Sequence, residues 1–147
     1  MQVNLRYFAR GDERRVAELE GLCFSEPWTE REWQESAARE DFFGLVLEDE
    51  KGSMLGYACV YALYESAELL RIAVLQSERG KGYGARLLDG LLKELAARGV
   101  EQIFLEVRAG NLPARRLYEG RGFSLLRERK KYYHDGENAL EMKKSLL

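Results

Sequence analysis

An apolar strand pattern, a glycine-rich loop and an amphipathic helix follow one another without a break in the middle of the chain. The loop, residues 75–84, reads LQSERGKGYG, and Gly80, Gly82 and Gly84 alternate in it with larger side chains. Alternating glycines at the start of a helix leave backbone N–H groups uncovered beside the positive end of the helix dipole. Because such groups bind phosphate oxygens, we expect a ligand with a di- or triphosphate-like group at this junction.

The bulk composition restricts the class of protein. With 147 residues, 46% apolar and 33% charged, the chain is expected to form one globular domain, residues 1–147, with its own core. No apolar run approaches the ~20 residues that cross a bilayer, and the N-terminus lacks a signal-peptide pattern, so we expect a cytoplasmic protein without a membrane partner. The net charge of −2 argues against nucleic acid as a partner. Cys23, Cys59 and His134 show no metal-ligand spacing, so two reduced thiols and no metal site are expected.

Hydrophobic periodicity and turn signals predict the fold class. Three consecutive strands joined by short turns form an antiparallel meander, and the last of them leads through the glycine loop and a helix into a parallel strand. The pattern predicts an α/β (α+β) fold, with a mixed, mostly antiparallel sheet of about seven strands flanked by about four helices. The predicted strands cover residues 3–8, 42–47, 54–63, 69–75, 102–107, 123–129 and 139–142, and the helices begin after Asp12, after Thr29, at Ala85 and after Asn111.

Side-chain patterns within these helices predict how they pack. Thr29 and Glu32 form a capping box, and Trp28 and Trp33 occupy the positions of a hydrophobic staple, which gives Trp28 a structural role. Gly90 lies inside a helix at a cost of ~1 kcal/mol relative to alanine, and no sequence pattern explains it. The predicted buried faces are Val16, Leu19, Leu22 and Cys23 in the first helix, Leu87, Leu88, Leu91, Leu92 and Leu95 in the third, and Leu112, Ala114, Leu117 and Tyr118 in the fourth.

Two common phosphate-binding motifs do not describe the glycine loop. A dinucleotide-binding fold places G-x-G-x-x-G after the first strand of an alternating β/α chain, whereas this loop follows the fourth strand. A P-loop requires Gly-Lys followed by Ser or Thr, but Lys81 is followed by Gly82 and Tyr83. The loop therefore belongs to another class of phosphate site.

The loop matches a third motif in full. Arg79-Gly80-Lys81-Gly82-Tyr83-Gly84 agrees at every fixed position with Q/R-x-x-G-x-G/A, the acetyl-coenzyme A motif of the GNAT N-acetyltransferase superfamily. Ile72-Ala73-Val74 before the loop, and Leu105-Glu106-Val107-Arg108, Asn111 and residues 114–123 after it, stand in the order of that superfamily. The chain thus resembles GNAT proteins over essentially its whole length. The resemblance implies the GNAT fold and acetyl-CoA as cosubstrate.

Within the superfamily the chain resembles the RimI group, bacterial protein N-terminal alanine acetyltransferases. It has Glu26-Pro27-Trp28-Thr29, and Tyr132-Tyr133 leading to Asp135-Gly136-Glu137-Asn138-Ala139. It departs from the group at Gly110, Lys131 and His134, where RimI proteins commonly have Ser, Asn and Pro. This resemblance implies that the acceptor is a protein or peptide N-terminus, such as the N-terminal alanine of a small-subunit ribosomal protein.

Glu106 and Tyr118 are the candidate catalytic residues. An α-amino group has an ordinary pKa of ~7.7–8.0, so it needs a nearby base, though not a strong one, to become nucleophilic. At the end of an apolar strand, Glu106 is expected to be half-buried with a raised pKa and to act through one water. The alternative is an ion pair with Arg71 or Arg108. By resemblance, Tyr118 donates a proton to the departing thiolate, and the alternative is a tyrosine that only packs in the core.

The resemblance also implies the binding residues. Backbone N–H groups near Ala73 and Val74 are expected to bind the pantetheine arm and to polarise the thioester carbonyl. Asn111 is expected to contact the same arm, although it is already explained as a helix cap. The predicted cofactor-binding set is Ile72, Ala73, Val74, Arg79, Gly80, Lys81, Gly82, Tyr83, Gly84, Ala85 and Asn111, and the predicted substrate-binding set is Trp28, Tyr132 and Tyr133. The basic cluster at 127 and 129–131 is either a solvated strand face or a site for an acidic substrate.

Two other functions stay open beside N-terminal acetylation. We expect direct transfer in a ternary complex, because neither cysteine occupies a motif position that would carry a covalent acetyl group. One alternative is a GNAT enzyme that acetylates a small-molecule amine, and the other is an acetyl-CoA-binding module without catalysis. The sequence leaves the oligomeric state open between a monomer and a weak dimer.

Overall fold

One seven-stranded sheet, in the order β1-β2-β3-β4-β5-β7-β6, runs through the protein. The computed structural model describes residues 2–147. The predicted fold class, a mixed and mostly antiparallel sheet with four helices, is confirmed. The elements are β1 Val3–Tyr7, α1 Glu13–Cys23, α2 Glu30–Ala37, β2 Phe42–Asp49, β3 Met54–Leu63, β4 Ser66–Val74, α3 Tyr83–Ala97, β5 Gln102–Arg108, α4 Leu112–Gly120, β6 Ser124–Arg129 and β7 Ala139–Ser145, with a short 3-10 turn at Gln76–Glu78.

The sheet consists of two antiparallel parts joined by one parallel pair. Strands β1 to β4 pair in antiparallel fashion, as do β5 with β7 and β7 with β6. Strands β4 and β5 are parallel, as the intervening helix predicts. None of the helices in residues 2–147 is long and apolar enough to span a bilayer.

Helices cover both faces of the sheet. Along β3, Tyr57 and Cys59 belong to one buried cluster, whereas Ala58 and Val60 belong to another. Successive strand residues point to opposite faces, so the two clusters lie on opposite sides of the sheet. One cluster contains the leucines of α3, as predicted, and the other contains Val16, Leu19 and Trp33 of α1 and α2.

Close packing of α3 on the sheet accounts for Gly90. A Cβ atom at this position would lie 2.7 Å from Leu5 Cδ1 and 3.4 Å from Leu45 Cδ1. Atoms this close cannot coexist, so the missing side chain lets the helix approach β1 and β2. The structure thus explains a glycine for which the sequence offered no reason.

Two packing predictions are wrong. Leu22 is 72% exposed, whereas Glu20 of the same helix is fully buried and its carboxylate has partners inside the fold. Leu112 is about half exposed because the first residue of a helix points back beyond the helix end. Asp12 lies at the start of α1 but makes no side-chain cap, because its carboxylate accepts hydrogen bonds from Arg6 and from the Ala9 N–H.

Candidate active site

An opening between β4 and β5 forms the centre of the candidate site. The two strands pair only from Ser66–Glu68 to Gln102–Phe104, although both continue well beyond these residues. Just after the paired segment, the neighbouring β3 residues Cys59 and Val60 pair with Arg71 and Leu69 of β4. Leu70, which lies between those two, has no partner in β3 and forms a bulge. A bulge bends its strand, so we attribute the separation of β4 from β5 to Leu70.

The end of β4 presents backbone groups to this opening. Leu75 N–H donates to Leu55 O of β3 at 2.8 Å. In an antiparallel pair the backbone N–H and C=O groups of every second residue point toward the partner strand, so those of Val74 and Ile72 point away from β3. The same alternation directs the Ala73 backbone groups toward β3. Val74 O accepts from Arg79 Nε at 3.1 Å. Of the three predicted pantetheine residues, Ile72 and Val74 therefore have backbone groups on the open edge.

The glycine loop leads from β4 to a helix start without a side-chain cap. Gly80 and Gly82 have φ values of 81° and 79°, a region that glycine adopts without strain, and no atom lies within 4 Å of a Cβ built on either. Gly82 precedes α3 and offers no side chain, so the first N–H groups of the helix, from Tyr83 to Ala85, lack a side-chain partner. Lys81 is paired with Glu78.

Helix α4 closes the same end of the opening. A Cβ atom on Gly84 would lie 3.7 Å from Leu117 Cδ2 and 4.0 Å from Val74 Cγ2, so α3, α4 and β4 meet there. Asn111 caps α4, its side chain accepting from Ala114 N–H at 3.2 Å, as predicted. The residues predicted to bind acetyl-CoA thus lie on adjoining elements.

Tyr118 lies on the buried side of α4. Its ring packs against Phe123 at a centroid distance of 5.7 Å, and only 6% of the residue is exposed. Burial raises the pKa of the phenol well above its usual value. The hydroxyl therefore keeps its proton at neutral pH, as a proton donor must.

Glu106 lies on β5 in the part of the strand that β4 does not pair. The carboxylate is exposed, so the prediction of a half-buried side chain is wrong. The reason is local, because its face of β5 lacks a covering helix whereas Leu105 and Val107 face the core. Neither predicted ion-pair partner binds it: Arg71 pairs with Glu20, and Arg108 pairs with Asp135 and Glu137.

Tyr132 and Tyr133 lie beside Glu106. The nearby Glu106 carboxylate raises the pKa of Tyr132, and burial together with the same carboxylate raises the pKa of Tyr133. The Arg108 guanidinium lies 4.0 Å from the centre of the Tyr133 ring. Two predicted acceptor residues and the predicted base therefore share one side of the opening.

Trp28 lies on the other side. Its ring is 5.1 Å from the Arg71 guanidinium of β4 and 4.7 Å from the Trp33 ring, so the predicted hydrophobic staple is present. The Thr29–Glu32 capping box is also present. A structural role for Trp28 and a place beside the opening are both compatible with this geometry.

Two of the four residues in the basic cluster are paired with one carboxylate. Arg127 and Arg129 both bind the Glu141 carboxylate, which is opposite Glu106 across the β5–β7 pair. This arrangement favours the solvated strand face over a site for an acidic substrate. Two surface depressions, about 510 and 490 Å³, are lined by residues 39–41 and 62–63 and by residues 8–10, 13, 34, 37, 38 and 42, none of which is a predicted site residue.

The sequence alone did not point to Glu20, and it indicated Arg71 only as a possible ion-pair partner of Glu106. Glu20 follows Val16 by four residues and precedes Cys23 by three, so the helical period places a carboxylate on the inner face of α1. Lys, Glu, Arg and Asp are rarely fully buried without a partner. A charged residue at a core-facing position was therefore a readable sign of an internal polar contact, although it did not identify Tyr57, Trp28 and Arg71 as the partners.

Comparison with known proteins gives a consistent family. The sequence profile of the Acetyltransferase (GNAT) family matches residues 13–123. The [ribosomal protein bS18]-alanine N-acetyltransferase of Haemophilus ducreyi is 32% identical over 135 residues, 89% of this chain and 92% of that protein. The enzyme of the same description from Escherichia coli K12 is 36% identical over 115 residues, 78% of this chain and 76% of that protein.

A solved structure agrees over nearly the whole fold. The crystal structure of the ribosomal-protein-S18-alanine N-acetyltransferase from Escherichia coli superimposes with a TM-score of 0.93 at 30% identity, covering 99% of this chain and 94% of that chain. The profile match, the two relatives and this fold confirm the family predicted from the glycine loop. The chain belongs to the GNAT acetyltransferase family.

Proposed function

We propose that this enzyme transfers the acetyl group of acetyl-CoA directly to the N-terminal α-amine of a protein, and that the N-terminal alanine of ribosomal protein bS18 is its acceptor. The opening between β4 and β5 carries the proposal, with a phosphate-binding helix start at one end and Glu106 beside Tyr132 on the opposite strand. Relatives named for this reaction, at 32% and 36% identity, support the acceptor.

The donor side is suited to coenzyme A. Uncapped N–H groups at the start of α3 and two glycines in the left-handed region suit a pyrophosphate. The open edge of β4 suits the amide groups of pantetheine, and we assign the Val74 N–H on that edge as the donor to the thioester carbonyl. Bound acetyl-CoA supplies the activated acyl carbon, and the chain positions it.

Proton transfer is assigned to two side chains on different elements. Glu106 accepts the proton that the α-amine loses, through one water, as its exposed carboxylate permits. The free amine nitrogen then bonds to the acyl carbon as the C–S bond breaks, and the further proton that leaves the nitrogen as the amide forms passes to solvent. Tyr118, kept protonated by burial, gives its proton to the departing thiolate.

An acceptor panel tests the function. Peptides that begin with Ala, Ser or Met are compared with a polyamine, a free amino acid and an aminoglycoside, with acetylation scored by mass. The matched control is the Ala peptide with its α-amine blocked and an internal lysine left free. We expect acetylation of the Ala peptide and none of the blocked peptide. Faster turnover of a small amine would overturn the proposed acceptor.

Two substitutions test the assigned roles. Glu106→Gln and Tyr118→Phe should each lower kcat at least tenfold, since general acid–base catalysis contributes roughly 10²–10⁴. Acetyl-CoA binding, measured by calorimetry, should not change. Glu119→Gln, which removes an exposed carboxylate next to Tyr118 in sequence, serves as the control. Wild-type kcat in both variants would refute the assignment.

A further inference from the structure

A buried carboxylate outside the proposed chemistry connects three elements. Glu20 of α1 has no exposed surface. Its carboxylate accepts a hydrogen bond from the Tyr57 hydroxyl of β3 and one from the Trp28 N–H at 2.7 Å. Arg71 Nε of β4 lies 3.4 Å from the same carboxylate. Glu20 thus joins the sheet to the α1–α2 loop, residues 24–29.

Arg71 contacts that loop at three further points. Its Nη2 donates to Glu26 O at 3.3 Å, and its guanidinium carbon lies 4.8 Å from the Phe24 ring and 5.1 Å from the Trp28 ring. The Arg71 side chain is 24% exposed, so its end near Glu20 is withdrawn from water while its bond to Glu26 lies at the surface. Arg71 immediately precedes Ile72, the first residue of the predicted pantetheine segment. One side chain therefore links the donor strand to the loop that carries Trp28.

A network of this kind determines geometry more than it adds stability. Removing two charges from water costs free energy that their attraction recovers only when the remaining donors and acceptors are satisfied. Here the α1–α2 loop supplies two partners, the Trp28 N–H for Glu20 and the Glu26 carbonyl for Arg71, whereas Arg71 Nε is buried and makes only the ion pair with Glu20. Any displacement of the loop leaves a buried charge with fewer partners, so the loop has one strongly preferred position.

We infer that Glu20 and Arg71 are positioning residues, which hold Trp28 against β4 and thereby set the width of the acceptor groove. The inference rests on the proposed function, because Trp28 faces an acceptor only if the opening between β4 and β5 binds one. Neither side chain touches the reacting atoms. Their loss should weaken acceptor binding while leaving the donor site and the catalytic residues in place.

Hydrogen exchange tests the positioning directly. In Glu20→Gln and Arg71→Met, exchange of the Trp28 amide should accelerate roughly tenfold, since the side-chain network no longer holds its acceptor in place. The Trp33 amide, bonded to Thr29 O within α2, is the internal reference and should not change. Glu18→Gln, an exposed residue of the same helix, is the control variant. Equal exchange at Trp28 in all variants would overturn the inference.

Steady-state kinetics test the consequence for the acceptor. Both variants should raise the acceptor KM roughly tenfold, while kcat and the acetyl-CoA KM stay within twofold. The double variant should not exceed the larger single effect, because the two residues act as a unit. A proportional loss of kcat with unchanged KM values would indicate reduced stability only and overturn the inference. If the wild-type enzyme acetylates a small amine instead of a peptide, the proposed acceptor fails, and the inference is judged by that amine's KM and by hydrogen exchange.

Discussion

Two loops border the candidate acceptor groove, and each is held by an arginine from a central strand. Arg71 of β4 contacts the α1–α2 loop, which carries Trp28. Arg108 of β5 contacts the β6–β7 loop, residues 130–138, through Asp135, Glu137 and the Tyr133 ring. The components are alike: an arginine, carboxylates and an aromatic ring. Their surroundings are not.

Burial distinguishes the two loops. The carboxylate paired with Arg71 is fully buried, whereas Asp135 is 63% exposed. Exposed ion pairs contribute little because water and salt compete for both charges, while a broken buried pair leaves an unsatisfied charge in the fold. The comparison indicates that the α1–α2 loop is anchored by a fully buried carboxylate, whereas the carboxylates that anchor the β6–β7 loop are partly or mostly exposed.

The largest expected effect is on stability and separates the two loops. Glu20→Ala leaves the Tyr57 hydroxyl and the Trp28 N–H without a partner, so we expect a loss of about 3 kcal/mol in the free energy of unfolding. For a chain of this length that corresponds to a fall of roughly 10 °C in Tm. Arg108→Met should leave Tm unchanged within error. Thermal and urea unfolding measure both, and similar losses in the two variants would remove the distinction.

The pH dependence of activity is the second test, because only the β6–β7 loop carries tyrosines near the base. The Glu106 carboxylate raises the pKa of Tyr132, burial raises that of Tyr133, and burial raises that of Tyr118. A phenol with a raised pKa stays protonated even near pH ~10, where an ordinary tyrosine ionises. We therefore expect kcat/KM to rise once, near the acceptor pKa of ~7.7–8.0, and then to stay level to pH 9.5.

Variants sharpen that profile. Tyr132→Phe should keep its shape, and Tyr118→Phe should lower the whole curve without moving its acid limb. A decline in wild-type activity below pH 9.5 that disappears in Tyr132→Phe would show that the β6–β7 loop takes part in proton transfer. That result would contradict a purely binding role for the loop.

The smallest expected effect concerns backbone strain in the β6–β7 loop. Lys131 has φ 53°, a region that asparagine tolerates better than lysine. Lys131→Asn should stabilise the fold by roughly 0.5 kcal/mol and lower the acceptor KM slightly. Tyr64, in the β3–β4 turn, has a similar φ of 55° and serves as the control position. Tyr64→Asn should give a similar gain in stability without changing the acceptor KM. A loss of stability in Lys131→Asn would contradict the explanation.

Local signals predicted much of the fold from sequence. The Thr29–Glu32 capping box, the Asn111 cap and the leucine stripe of α3 depend on residues a few positions apart, and all three are present. Leu22 and Leu112 were predicted to be buried because periodicity identifies an apolar face but not how far the sheet extends beneath it. The exposure of Glu106 has the same origin, since no local pattern shows which part of a sheet lacks a covering helix.

By itself, the sequence determined the family, the fold and the donor: alternating glycines at a strand-to-helix junction restrict the backbone locally and leave N–H groups for phosphate. Only the tertiary structure decided how the acceptor groove is built. The β4–β5 pairing stops just before the bulge at Leu70, and Glu20 meets Tyr57, Trp28 and Arg71 across 8 to 51 positions of the chain. Such contacts depend on the packing of distant elements, and the spacing of residues along a sequence does not encode them individually.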